Sequence, residues 1–494
     1  MALQFDEEEL PFPPGATKDR PEGTTPESPK KSNGELPSAA EPQVDEAPLP
    51  AQFSEDALAV EWVRRHGEDW RYVAQWGMWF KWRGDAWKQD KLIEYFEIAR
   101  NITREARAWP GCDALTKSDQ LRLSSARTAA ALLHFVKADR LIAAEAEQWD
   151  REQMYLGVPG AVVDLITGQY LPPDRAQYVT KQAAVAPQAG EPSLWLNFLN
   201  RITEGDADII GFLQRFAGYC LTGSIQEHAF VFLYGTGANG KTTFVQTILG
   251  IMGEYALTTG METFAETKTE RHSTEIARLR GARLVATEET ASGSRWNESR
   301  IKRLTGGGRI AARFMRQDDF EFEPNFKLII AGNHKPSLRA DEAMKRRVNL
   351  VPLTVTIPEA DRDKELPDKL RAEWPQILGW MLDGCMQWRQ QGLNPGPRIR
   401  EATTHYVLSN DTLGDWLTER CELNGWSEGK LLHADFVKWC DEQGEKPWSR
   451  RGWSDAMIDR GFKDGRKRIG TVLSRGFEGV KLALSVSHSQ PTNY

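Results

Sequence analysis

The stretch Ala229-Phe-Val-Phe-Leu-Tyr-Gly-Thr-Gly-Ala-Asn-Gly-Lys-Thr-Thr-Phe244 decides the reading of this chain. Ala229–Tyr234 is a short, uninterrupted apolar run and predicts a buried strand. Phe244–Met252 has helical spacing. Between them, Gly235–Thr243 fits G-x-x-x-x-G-K-[ST], and strand, loop and helix in that order predict a phosphate-binding P-loop. The spacing has a chemical reason. Gly235 and Gly240 let the backbone turn tightly, so that its N–H groups and the helix N-terminus point at phosphates. The candidate nucleotide-binding set is therefore Gly235, Thr236, Gly237, Ala238, Asn239, Gly240, Lys241, Thr242 and Thr243. Lys241 reaches the β- and γ-phosphates, and the Thr242 hydroxyl joins the shell of a Mg²⁺ ion.

Three later strand ends extend the site. Arg283-Leu-Val-Ala-Thr287 is a second apolar strand, closed by Glu288-Glu289. A carboxylate there can hold Mg²⁺ through water and polarise an attacking water. Glu288 takes the larger share of this role, and a solvated strand edge is the alternative. Lys327-Leu-Ile-Ile-Ala-Gly-Asn333 is a third strand ending in an amide that can hydrogen-bond the γ-phosphate or the lytic water. The plainer reading of Asn333 is a turn before His334-Lys335-Pro336. Lys345-Arg346-Arg347 precedes a fourth strand, Val348–Leu353. Arg346 or Arg347 can stabilise charge on a transferred phosphoryl group, often from a neighbouring subunit, or can simply end a basic helix. Strands alternating with helices over 229–353 predict an α/β layered domain.

At 494 residues the chain exceeds one hydrophobic core. Residues 1–52, rich in Pro, Glu, Ser and Ala, read as a disordered acidic tail. Its Phe5-Asp-Glu-Glu-Glu-Leu-Pro-Phe12 is a docking peptide or a solvated stretch. Residues 53–190 predict a mainly helical domain. It carries a helix at Ala57–His66, a hairpin over Arg71–Lys88 around Arg83-Gly84-Asp85, and helical spacing from Leu92 to Glu147. The tryptophans Trp62, Trp70, Trp76, Trp79, Trp82 and Trp87 fall at strand spacing and predict core packing over base stacking. Asp164-Leu-Ile-Thr-Gly168 reads as a strand closing in a turn. The helices Ser193–Ile202 and Ala207–Leu221 open an ATPase-type domain over 191–391 that ends with the helical Leu366–Gln391. A Pro/Gly-rich linker is expected over 392–410, a small domain over 411–486 and a tail over 487–494.

With 40% hydrophobic and 27% charged residues, the composition is that of a soluble protein. No apolar run is long enough for a bilayer and no secretory pattern opens the chain, so no membrane partner and a cytoplasmic location are expected. The five cysteines lack metal-knuckle spacing and predict buried free thiols. A net charge of −7 gives no global attraction to nucleic acid, so any such site must be a local basic patch.

Together these motifs resemble the superfamily 3 helicases, in the phage and plasmid helicase–primase branch that includes poxvirus and satellite-phage replication proteins. The matching elements are Gly235–Thr243, Leu279–Glu288, Ile301-Lys-Arg-Leu-Thr-Gly-Gly307, Ala312-Arg-Phe314, Leu328–Pro336 and Arg346-Arg347, with Asp164–Gly168 and Phe212–Gly223 upstream. The resemblance covers roughly residues 55–485. It departs at Pro159-Gly160, where the family has Asn-Gly, and at Ala291–Arg295, which runs about a residue long. It also departs at the N-terminus, where too few residues precede the preamble for the family's primase–polymerase domain.

The resemblance implies an α/β P-loop NTPase core of AAA+-like, superfamily 3 type, preceded by a mainly helical domain and followed by a winged helix. It implies ATP and Mg²⁺ as cofactors and a homo-oligomeric, usually hexameric ring. Lys241, Thr242, Glu288 and Asn333 would act in cis, and Arg346 or Arg347 in trans. It further implies 3′→5′ movement on single-stranded or forked DNA in phage, prophage or plasmid replication, with a separate primase or polymerase as a partner. The hairpin formed by Arg309–Met315 and Phe320–Phe326 would enter the ring channel, where Arg316, Arg313 and Lys302 can meet phosphates, a plain turn residue being the other reading of Arg316. In the tail unit, helical stretches at Thr412–Glu422, Leu432–Glu442 and Arg450–Arg460 precede a hairpin over Phe462–Leu484. This unit's cluster of basic residues, with Arg466, Lys467 and Arg468 at its centre, is the candidate duplex contact, with a solvated face on a protein-docking module as the alternative. A packaging ATPase and an ATP-gated origin-binding or primase-recruiting protein without unwinding activity are the competing readings.

Overall fold

The computed structural model describes residues 50–265, 273–288, 296–313, 319–336, 342–409, 411–445 and 447–483. Glu289 and Arg316 lie outside the described residues, as does the side chain of Glu288.

A five-stranded parallel sheet organises the middle of the chain. Its order is Val348–Pro352, Phe230–Tyr234, Lys327–Gly332, Leu284–Glu288, Ala256–Thr258. The central strands are buried along nearly their whole length, as a parallel sheet covered on both faces requires. Alternation sorts their side chains into two layers. Val231, Leu233, Ile329 and Ala331 pack against the helices Ser193–Thr203, Ala207–Cys220, Lys241–Met252 and Trp374–Gln391. Phe230, Phe232, Leu328 and Ile330 face the helix Glu298–Thr305, the antiparallel pair Ile310–Arg313 and Asp319–Phe322, and the helix Pro397–Leu408.

Two of the helices meet backbone to backbone. A Cβ on Gly218 would lie 2.0 Å from the Cys385 nitrogen, and one on Gly384 would lie 2.1 Å from the Gln214 oxygen. Glycine costs a helix interior about 1 kcal/mol, and here it permits the close crossing of Ala207–Cys220 with Trp374–Gln391.

The expected boundaries need correction. Residues 392–410 are not a linker, because Pro397–Leu408 is a helix whose buried Ile399, Thr403, Tyr406 and Val407 form one stripe. Leu350 N donates to Thr403 Oγ1 at 2.9 Å, Trp296 Nε1 donates to Tyr406 Oη at 2.8 Å, and Tyr406 Oη donates to the Pro336 carbonyl. The Pro/Gly run before the helix hid this stripe, although Pro is well suited to a first helical turn.

The hydrophobic clusters also do not divide at 190. Leu156, Val158, Val163 and Leu165, from a small three-stranded sheet, share a cluster with Val231 and Tyr255. Tyr255 Oη accepts from Gly157 N and donates to the Lys181 carbonyl, each at 2.9 Å.

A separate cluster gathers Leu58, Trp62, Ile102, Leu132 and Val136 from the first helices. Beside it runs a meander, Trp70–Val73, Met78–Trp82 and Trp87–Gln89, where a single hairpin was expected. The extra turn carries only one strong breaker, Gly77 (φ 64°), so the sequence does not announce it. The region's helices exceed its strands, and strands this short leave little periodicity to read. Trp62, Trp70, Trp79 and Trp87 are buried in its cores.

The C-terminal module has helices Thr412–Arg420, Gly429–Gln443 and Arg450–Asp459 around Trp416, Phe436 and Trp453. A sheet in the order Trp426–Glu428, Val472–Glu478, Lys463–Ile469 closes it. The five cysteines are free thiols, four of them buried. Among the described residues no helix is long and apolar enough to cross a membrane.

Gly218→Ala is expected to destabilise the protein by about 1–3 kcal/mol through overpacking, read as a lowered denaturant midpoint. An unchanged midpoint would show that the helices can separate at little cost. Lys327 supplies a second test. Its Nζ is buried, donating to the Thr222 and Ser224 carbonyls, and burial pushes its pKa down to about 7, with Arg283 adding repulsion. The folded value lies below the ordinary 10.5, so between these values the unfolded chain binds more protons and stability rises with pH. The stability of wild type relative to Lys327→Met should therefore climb from pH 7 to pH 9 in urea titrations. A flat difference would contradict this account of the buried amine.

Candidate functional site

Parallel register brings four strand ends to one edge. Tyr234 is opposite Gly332 on one side and Pro352 on the other, while Ala331 is opposite Glu288. The chain leaves Tyr234 into the loop Gly235–Gly240 and enters the helix Lys241–Met252.

The loop is built for close approach. A Cβ on Gly235 would fall 1.9 Å from Asn239 Nδ2 and 2.1 Å from the Leu353 carbonyl oxygen. Gly237, Ala238 and Gly240 all have positive φ (109°, 50° and 79°). Ala238 is the one of the three with a side chain, a conformation that costs an L-residue about 1–2 kcal/mol. Gly240 also lies under the helix Ser193–Thr203, because a Cβ there would meet Ile202 Cγ2 at 2.5 Å and Phe198 at 2.9 Å. The upstream helix thus holds the turn from behind.

Lys241 is the electrostatic centre. It is 6% exposed, and its Nζ donates to the Gly235 carbonyl at 2.8 Å, Asn239 Oδ1 at 2.8 Å and Asn333 Oδ1 at 3.0 Å. Burial lowers its pKa. These three partners are neutral oxygens, so among the described residues the ammonium is oriented without being neutralised. Asn239 is itself fixed, its Nδ2 donating to the Leu353 carbonyl at 2.9 Å. Thr242 is exposed and Thr243 half-buried at the start of the helix, whose first N–H groups have no partner within the helix. A buried cation, a glycine turn and a helix N-terminus at one point suit a polyphosphate, and the Thr242 hydroxyl suits a hard cation bound beside it.

The remaining candidates divide sharply. Asn333 stands at the site, bonded to Lys241. The backbone of Glu288 ends its strand at the same edge. Arg346 and Arg347 precede Val348–Pro352 and so lie at the opposite edge, roughly 16 Å away at the rise of a parallel strand. Arg347 N–H and C=O groups serve the framework: Nη1 donates to the Ala343 carbonyl at 2.9 Å, and the Arg347 carbonyl accepts from Phe230 N at 2.7 Å. Its Nε is buried with no hydrogen-bond partner among the described residues. Lys302, half-buried on Glu298–Thr305, and Arg313 belong to the second layer, where Arg313 faces Asp319 across the hairpin at 3.7 Å. Arg466, Lys467 and Arg468 are exposed on the C-terminal module.

Sequence reasoning missed three parts of the site. The Asn239 side chain was read only as part of the loop backbone. Phe198 and Ile202 buttress Gly240 from a helix some forty residues upstream in sequence. Lys335 lies with its Nζ 4.2 Å from the Tyr234 ring centroid. Only Asn239 carried a local signal, a polar side chain wedged before Gly240-Lys241.

Comparison with known proteins adds a partial likeness. Residues 59–204 match the family model described as D5 N terminal like, and residues 233–347 match a family of unknown function. A helicase-named protein of Acanthamoeba polyphaga mimivirus is 24% identical over 44% of this chain and 25% of its own length. A helicase-named protein of Frog virus 3 (isolate Goorha) is 28% identical over 42% of this chain and 24% of its own length. The chain thus spans about a quarter of the curated relatives it matches. Two solved apo structures of the NrS-1 C terminal region align over 86% of this chain and 99% of theirs. Their identities are 11% and 10%, with TM-scores of 0.47 and 0.48. The likeness is therefore to a D5 N terminal like region and to part of two helicase-named viral proteins.

Asn239→Ala removes one of the contacts that aim Lys241 and leaves the Leu353 carbonyl short of a donor. The expected loss is about 1–2 kcal/mol, or roughly 5- to 30-fold weaker triphosphate binding by calorimetry. Unchanged affinity would mean that Asn239 does not position the amine.

Proposed function

We propose that this chain is the subunit of an ATP-dependent DNA helicase that works as a homo-oligomeric ring, with six subunits as the expected number, in phage, prophage or plasmid replication. The observation that carries the reading is the junction of Lys241 with Asn333 at the edge where the Phe230, Leu284 and Lys327 strands end. The sheet order, with the loop-bearing strand between the Val348 and Lys327 strands, supports an AAA+-like, superfamily 3 core. Three helices and a three-stranded sheet support a winged helix at the C-terminus.

In this reading the loop N–H groups and Lys241 bind the β- and γ-phosphates of ATP, and the Thr242 hydroxyl, with Glu288 through water, holds Mg²⁺. The ion, when bound, withdraws charge from the phosphate oxygens. Glu288, aided by Glu289, takes up the proton of the attacking water, and the Asn333 amide orients that water. Lys241 exchanges its bond to Asn333 for a phosphate oxygen, so nucleotide arrival is felt at once on the Lys327–Gly332 strand. Arg346 and Arg347 are too distant to serve their own loop. That distance supports a role for one of them in the neighbouring subunit's site. Lys302, Arg313 and Arg316 would follow single-stranded DNA in the channel, with 3′→5′ movement expected, and a separate primase or polymerase would act beside the ring.

The primary test is strand separation on a forked DNA with ATP and Mg²⁺, for wild type beside Lys241→Ala. Wild type should unwind and the variant should neither unwind nor hydrolyse. Wild-type turnover by Lys241→Ala would remove the site assignment, whereas hydrolysis without unwinding would favour an origin-binding or primase-recruiting protein. Arg347→Ala should bind nucleotide yet lose turnover, and mixing it with Lys241→Ala subunits should restore part of it. No recovery on mixing would argue against a shared site.

A further inference from the structure

The last two long strands of the chain form a ribbon that outgrows its module. Lys463–Ile469 and Val472–Glu478 pair along their whole length, from Lys463 opposite Glu478 to Ile469 opposite Val472. The third strand, Trp426–Glu428, pairs only with residues 476–478. Among the described residues, no strand therefore neighbours the ribbon from Arg466 and Arg475 outward. A two-residue turn at Gly470-Thr471 ends it, with Gly470 at φ 59° where a tight hairpin needs a left-handed residue.

One face of the ribbon changes character along its length. Phe477 is buried, its ring 5.5 Å from Trp453 on the helix Arg450–Asp459. The same face continues outward through the pair Arg466–Arg475 to the pair Arg468–Leu473. Leu473 is four residues beyond Phe477, roughly 13 Å along the strand, and is 61% exposed. An apolar side chain at the tip of a projecting ribbon gains nothing from the fold that carries it.

Its surroundings are cationic. Elsewhere in the module the basic residues are partly spent: Arg460 pairs with Asp411, Arg475 Nε donates to Asp464 Oδ2 at 2.9 Å, and Arg451 lies within 4.0 Å of Asp455. Among the described residues, Arg466, Lys467 and Arg468 make no ion pair, and all three are exposed. Of the charges on this face, Arg466 also feels Asp464, and Arg468 is directly opposite Leu473, so positive charge concentrates beside it in a chain whose net charge is −7. A polyanion with an apolar interior answers both features, and duplex DNA has phosphates outside and stacked bases within.

We propose that the ribbon is a wedge for duplex DNA, in which Arg466 and Arg468 seat on backbone phosphates and Leu473 enters the base stack at the fork. The proposal rests on the DNA-binding part of the reading above and not on ATP hydrolysis, so nucleotide-free protein tests it. The full chain is titrated onto a forked duplex carrying 2-aminopurine in the pairs nearest the junction, with anisotropy reporting binding and fluorescence reporting unstacking. Wild type should bind and brighten the probe.

Leu473→Ala should lose most of the brightening, about 5-fold or more, while its affinity moves by less than about 3-fold, because phosphate contacts set affinity and the wedge sets distortion. Leu473→Met should restore the signal. Arg466→Ala with Arg468→Ala should lower the slope of log affinity against log salt by about 1.8. Full brightening by Leu473→Ala, or an unchanged salt slope in the double variant, overturns the proposal. Wild-type binding without brightening removes the wedge and leaves DNA binding intact. Failure to bind either duplex or single-stranded DNA removes both.

Discussion

A buried ammonium bonded, among the described residues, to three neutral oxygens is the constraint on which this structure turns. Taking a cation out of water is costly unless hydrogen bonds and a counter-charge replace the lost solvent. Lys241 receives three hydrogen bonds' worth of replacement, from Gly235, Asn239 and Asn333, without a carboxylate among them. These three bonds keep the amine in place and supply no counter-charge of their own. An anion entering the loop therefore meets a cation that needs little reorganisation, and this is where preorganised electrostatics contributes most.

Much of the surrounding architecture serves that placement. The Phe230–Tyr234 strand delivers Gly235 to the sheet edge, and its neighbour delivers Asn333 to the same edge through parallel register. Phe198 and Ile202 close off the space behind Gly240. Their helix is anchored in turn, because Glu373 accepts from Leu194 N and Trp195 N at 3.0 and 2.9 Å and so caps its start. Glu373 immediately precedes the helix Trp374–Gln391, which crosses Ala207–Cys220 at the Gly218–Gly384 contact. Loop, buttress and cap form one mechanical chain from the candidate site into the deepest packing of the α/β core.

The second layer carries different work. Tyr406 ties the helix Pro397–Leu408 to Trp296 and to the Pro336 carbonyl, three residues after Asn333. The C-terminal module begins only a few residues beyond that helix. The strand that ends in Asn333 and the route to the C-terminal ribbon thus share a buried contact. Packed elements of this kind pass displacement between sites only if they have two stable arrangements. Lys335, held over the Tyr234 ring, joins the same corner from the side of the Gly235–Gly240 loop.

The sequence by itself determined the α/β core, because its signals are local and strong. A run such as Phe230–Tyr234 permits little but a buried strand, and the glycines and lysine that follow have the spacing of a tight strand-to-helix turn. It also marked Asn333 and Glu288 as strand ends, and the register sets both beside the loop. It could not decide what depends on distant partners. That Pro397–Leu408 is a sheet-covering helix, that residues 155–165 join the α/β core, and that the Leu353 carbonyl anchors Asn239 follow from surfaces meeting across tens to hundreds of residues. The position of Arg346 and Arg347 at the far edge is likewise a product of strand direction, which no local pattern encodes. Local propensity reads the elements, whereas burial and register, which are properties of the assembled core, decide which of their side chains meet.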